Sequence, residues 1–178
     1  MNHKVQEIVD YIEGERQALL AGVQNLSQAQ LDFKPAPEQW SVGEILHHLH
    51  VVEKGLPKLY AMLLQKTAEA GFKPETAGSM LQSLDHKQLD VPNQKLQAPK
   101  RVFPQAGIAK NELFDLLKSS RQTLIDAVSQ AGDYDLSEVK WAHPFFGDIN
   151  FYQWILFVGK HEKRHLGQIN RLKVAQGL

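Results

Sequence analysis

The sequence predicts an all-α protein: a single four-helix bundle spanning residues 1–178. Three observations carry that prediction. Four segments place apolar residues at three- and four-residue steps, prolines gather in the stretches between them, and no segment reads convincingly as a strand.

The first helix is expected from about residue 4 to 26, where Val5, Ile8, Val9, Ile12, Leu19 and Val23 make the stripe. Pro35 and Pro37 then favour an extended path, because proline fixes φ and restrains the residue before it. Ser41 and Glu44 form a Ser-x-x-Glu capping box that opens the second helix. Its stripe runs through Ile45, Leu49, Val52, Leu56, Leu59 and Leu63 to about Gly71. Pro57 lies inside it and predicts a kink, since a backbone hydrogen bond is lost there.

Residues from about 72 to 108 are the least helical, with Pro74, Pro92, Pro99 and Pro104, although Met80 to Leu89 has the pattern of a short helix. A connection this long is uncommon in a compact domain and is expected to pack on the surface or frame a site. It is long enough to cross the bundle, so helices 2 and 3 are expected to run parallel in an up-down-down-up order. Leu113, Leu116, Leu117, Leu124, Ile125 and Val128 mark the third helix, from about 109 to 131, with Gly132 as its stop. A loop from 133 to 148 holds Trp141, His143-Pro144 and Phe145-Phe146-Gly147, and the fourth helix follows from about 150 to 176.

Composition excludes several functions. Twenty Lys+Arg balance twenty Asp+Glu, so no nucleic-acid footprint is expected. The basic group Lys160, Lys163, Arg164, Arg171 and Lys173 reads as a solvated helix face. The absence of cysteine removes disulfides, thiolate metal ligands and a Cys nucleophile. No apolar run suits a membrane span and the N-terminus lacks a signal-peptide stretch, so a cytoplasmic protein is the expectation. Walker, Rossmann and Gly-x-Ser-x-Gly patterns are missing.

The histidines are more informative. His161 and His165 stand four residues apart in His-Glu-Lys-Arg-His, a step that puts two imidazoles on one helix face about 6 Å apart along the axis. His161 lies three residues after Val158 and His165 four before Ile169, so both follow the apolar stripe into the core. His48 lies three after Ile45 and four before Val52, also on the buried stripe. His47 and His50 are turned about 100° and 200° away and are expected to be more exposed. Inward imidazoles are costly unless their nitrogens are satisfied. Three neutral rings from two packed helices suit Zn²⁺, Ni²⁺ or another first-row divalent ion, with positions left for water or substrate.

Other residues have plainer readings. Glu44 is one turn before His48 and is a weak candidate for a base, with its capping role as the simpler explanation. Gln168 and Arg164 flank the helix-4 ligands and are read as surface or helix-packing residues. Trp40 and Trp154 are read as core anchors, and His143 as a structural or exposed loop residue, with the pocket rim as the alternative.

Three stretches together carry a resemblance. They are Pro35-Ala36-Pro37-Glu38-Gln39-Trp40-Ser41-Val42-Gly43-Glu44-Ile45-Leu46-His47-His48-Leu49, then His143-Pro144-Phe145-Phe146-Gly147, then Trp154-Ile155-Leu156-Phe157-Val158-Gly159-Lys160-His161-Glu162-Lys163-Arg164-His165-Leu166-Gly167-Gln168-Ile169. In order and spacing the chain resembles the DinB/YfiT-like metalloenzyme family along nearly its whole length. The resemblance implies a four-helix bundle holding a metal on His48, His161 and His165. It also implies small-molecule chemistry, since some relatives transfer low-molecular-weight thiols such as bacillithiol, some use mycothiol in isomerisation and others are hydrolase-like.

The expected function is therefore a metal-dependent small-molecule hydrolase or thiol S-transferase. An ion there would lower the pKa of a bound water to about 7 or take a thiolate directly. The alternative is a non-catalytic metal-binding or dimeric interaction protein of the same fold. A homodimer is expected through helices 1 and 3, which carry no proposed ligand.

Overall fold

The structure is a computed structural model that describes residues 2–71, 73–74, 76–86 and 98–178. The helices are α1 (His3–Val23), α2 (Gln28–Asp32), α3 (Val42–Lys54), α4 (Leu56–Ala70), α5 (Lys110–Ser129) and α6 (Phe151–Ala175). A single 3-10 turn covers Lys100–Val102, and strands β1 (Lys140–His143) and β2 (Gly147–Asn150) form a hairpin ahead of α6. No helix among the described residues is long and apolar enough to cross a membrane.

Local chemistry sets the helix boundaries. The Ser41 hydroxyl accepts from the Glu44 N–H and the Glu44 carboxylate accepts from the Ser41 N–H, closing the expected capping box. At the kink expected near Pro57 the helix is interrupted for one residue: α3 ends at Lys54, Gly55 keeps helical φ and ψ, and α4 restarts at Leu56. Pro57 thus sits in a first turn, where a missing N–H costs nothing. Asn150 caps α6 in a reciprocal pair with Gln153.

Three features depart from expectation. Ser27 and Gln30 close a second capping box and start the one-turn α2 in a stretch read as extended. Trp141 pairs with Ile149 and His143 with Gly147 in the antiparallel hairpin, where a loop was expected. Gly147 takes φ 67° to make that turn, a conformation that favours glycine. Residues 81–86 form turns where a short helix was expected, and 87–89 lie outside the described residues.

Contacts fix the helix directions. Asn2 meets Tyr152, Arg16 meets Glu162, and Lys173 reaches the Gly22 carbonyl, so α1 and α6 run the same way. His50 meets Leu116 and Glu53 meets Ser120, so α3 and α5 also run together. Arg16 reaches the Leu117 carbonyl and Arg121 the Ile12 carbonyl, which sets α1 against α5. A Cβ on Gly159 would lie 2.6 Å from the Tyr11 ring, so the glycine permits the close approach of α6 to α1.

Two apolar clusters fill the bundle. One gathers Val5, Ile8, Ile12, Tyr60, Leu124 and Ile155, and the other Leu19, Val23, Leu46, Leu117 and Ile169. Between them α1, α3, α5 and α6 carry polar, buried residues: Arg16, Glu53, Ser120, Arg121 and Glu162. Glu53 accepts from Arg16, Arg121 and Ser120, and Glu162 accepts from both arginines. The histidine site sits at this polar level, beside Glu162.

Candidate metal centre

The structure brings together the three histidines that the sequence singled out. Nε2 of His161 lies 3.4 Å from Nε2 of His48 and 3.0 Å from Nε2 of His165. One ligand atom from each ring lies within 4.8 Å of the others. Tetrahedral Zn–N bonds of about 2.0–2.1 Å place two ligand nitrogens about 3.3 Å apart, so the observed spacing matches a shared ion.

The opposite nitrogens decide which atoms face inward. His48 Nδ1 is 2.8 Å from the Val102 carbonyl, which can only accept, so this nitrogen carries the proton. His165 Nδ1 is 2.7 Å from Gln168 Oε1 and donates to it. Both Nε2 atoms therefore present lone pairs to the centre. His161 Nε2–H can satisfy one of them at most, and a cation satisfies all three rings at once. The donor set thus fits a divalent ion, with carbonyl and amide acceptors fixing the tautomers as they do in known centres.

The rings are also neutral. Burial pushes His48 down, His161 well below its ordinary range and His165 to about 3, and the Arg164 guanidinium nearby adds to each shift. In the unfolded chain the same rings titrate near 6.5. The unfolded state therefore binds more protons below that pH, and the metal-free protein loses stability as pH falls from about 6.5 toward the folded values. An exposed trio would release about two protons on binding a metal at pH 6. Here the release should be well under one, which calorimetry in buffers of different ionisation enthalpy reads directly. Release of two protons would contradict these neutral rings.

The cluster opens on a pocket of about 1410 Å³. Trp40 leans on His48 with ring centres 4.9 Å apart, and Phe157 stacks on His161 at 5.1 Å. His143 also lines the pocket and is buried, stacked on Phe146 at 4.4 Å, rather than exposed. Its Nδ1 accepts from the Phe145 N–H, so its proton rests on Nε2, and burial lowers its pKa to about 4. Trp154, read as a core anchor, is buried and lines the pocket as well, donating to the Trp141 carbonyl.

The remaining candidates fall elsewhere. Glu44 is occupied by the capping box and by Lys34, and it does not line the pocket. His47 accepts from the Gln105 N–H. His50, expected to be exposed, is buried because α3 packs on α5 there, and its Nδ1 lies 2.9 Å from the Leu116 carbonyl. Gln168 holds His165, a role beyond the packing one expected of it. Val102 was not foreseen, because a backbone acceptor from the 72–108 connection leaves no side-chain signal.

Fold and site define a class: a four-helix bundle with a three-histidine cluster that can hold a metal ion in the wall of a large pocket. The DinB superfamily model matches residues 11–169, and the chain belongs to that superfamily. It is 30% identical over 155 residues to the uncharacterized protein YuaE of Bacillus subtilis (strain 168), covering 85% of this chain and 88% of YuaE. Among solved structures it resembles TT2238, described as a four-helix bundle protein, with a TM-score of 0.62 and 19% identity over 94% of this chain and 98% of that one. That likeness speaks to the fold alone.

Proposed function

We propose that the protein is a metal-dependent enzyme acting on a small molecule, as a hydrolase or a thiol S-transferase, with His48, His161 and His165 holding one divalent ion, Zn²⁺ or Ni²⁺ foremost. The observation that carries the reading is the convergence of three imidazole Nε2 atoms in the wall of an open pocket. Structural zinc sites are usually closed by four protein ligands, whereas three leave room for a reactant. Bound there, the ion supplies Lewis acidity that favours the anionic form of a water or thiol.

The chain's own residues do the rest. The Val102 carbonyl and Gln168 hold two ligand rings in one tautomer and orientation. His143 offers a neutral Nε2–H, and Trp40 and Phe157 pack against the His48 and His161 rings. Three neutral ligands and no carboxylate in the cluster leave the ion's charge largely uncompensated, which favours an anionic reactant.

The test is calorimetry with 2-mercaptoethanol and acetate, both small, against metal-loaded and metal-free protein. Binding to the loaded form, and binding weaker by about tenfold or more to the metal-free form, is expected. Equal binding to both would contradict an open catalytic site and support a bracing metal.

A further inference from the structure

The basic residues of α6 are exposed or half-buried, as a solvated face requires, but they do not share one role. Lys160 pairs with Asp85, Lys163 with Glu15, and Lys173 with the Gly22 carbonyl. Arg164 and Arg171 line the pocket instead, and Arg101 joins them from the segment that carries Val102. Neither Arg101 nor Arg171 has a hydrogen-bond or ion-pair partner among the described residues. Glu38 is the one acidic residue among the described lining residues, so the cationic side is in excess before any metal is counted.

The order along α6 gives the pocket a direction. Along α6 the lining runs from Trp154 and Phe157 to the two imidazoles, with Arg164 between them, and on through Gln168 to Arg171, beyond which Leu172 and Ala175 follow. At 1.5 Å per residue, Phe157 lies about 6 Å before His161, and Arg171 about 9 Å beyond His165. His143 and Phe146 extend the aromatic end. The pocket's 1410 Å³ also exceeds the roughly 300–1,000 Å³ that holds an ordinary small ligand.

We propose that the substrate is an elongated organic carboxylate. Its apolar body lies against Phe146, Trp154 and Phe157, and its carboxylate is held by Arg101 and Arg171, which sets the middle of the molecule over the imidazoles. Guanidinium suits that head group, because its planar fork matches carboxylate geometry. The proposal takes the histidine cluster as the reaction centre and so rests on the enzymatic reading. Recognition of the anion itself needs no metal.

The test uses metal-free, full-length protein and a matched pair of probes, 6-phenylhexanoate and 6-phenylhexan-1-ol. All three tryptophans, Trp40, Trp141 and Trp154, line the pocket, so intrinsic fluorescence reports binding. The carboxylate should bind about tenfold tighter than the alcohol, and the ratio should fall to near one in the Arg101→Gln/Arg171→Gln variant. Unchanged affinity for the alcohol shows that the variant is folded. A ratio near one in the unmodified protein, or a preference that survives both substitutions, would overturn the proposal. Because 2-mercaptoethanol does not need the arginines, its metal dependence reports separately on the enzymatic reading.

Discussion

Alanine at His48, His161 or His165 should weaken metal binding by more than about 100-fold, enough to leave each variant largely empty after dialysis. Each substitution removes one of three converging nitrogens. Loss of a residue that merely orients a ligand typically costs 10–100-fold, and loss of the ligand itself costs more. Gln168→Ala gives the internal comparison. It frees the His165 ring without removing it and should fall within about 10–100-fold. His47→Ala and His50→Ala should keep the metal, since those rings are engaged by the Gln105 N–H and the Leu116 carbonyl. The order is read by competition with a chromogenic chelator. If His47→Ala empties the protein while His48→Ala leaves it loaded, the assigned helix face is wrong.

Glu53→Ala should destabilise the protein by about 3–5 kcal/mol, a large share of the 5–15 kcal/mol typical of a domain. The Glu53 carboxylate is 2% exposed and accepts from Arg16, Arg121 and Ser120. Without it, two guanidiniums that are each 4% exposed crowd onto Glu162, with Glu13 as a further partner for Arg121 alone. Burying that excess positive charge is the expensive outcome, far beyond the loss of one surface ion pair. Urea unfolding of the metal-free forms measures it. A loss below about 1 kcal/mol would mean that water or side-chain movement relieves the layer. The layer also bears on the site, because Glu162 adjoins His161 and joins α6 to α1 and α5.

The four long helices were legible because each buries one stripe, and a stripe repeats every 3.6 residues. Ser41 and Glu44 announced the α3 start, and Pro57 the break near Gly55, since both act through the local backbone. The inward placement of His48, His161 and His165 followed from the same geometry. Other features depend on contacts between distant segments. The β1–β2 strands are four residues each, and their buried positions fall at one end, so no alternation marks them. His50 looks outward on a wheel and is buried only because α5 arrives there. Arg16, Glu53, Arg121 and Glu162 lie on inward faces but are charged, and only their mutual pairing explains their burial. Arg164 and Arg171 resemble the neighbouring lysines in sequence, and the pocket alone separates them.

The central claim is that one divalent ion sits on these three histidines. Elemental analysis of untagged protein, purified without chelator, tests it most directly when wild type and His161→Ala are compared side by side. Wild type should carry close to one Zn or Ni per chain, and the variant almost none. Metal-free wild type that takes up no divalent ion on titration, or a variant that retains as much metal as wild type, would contradict it.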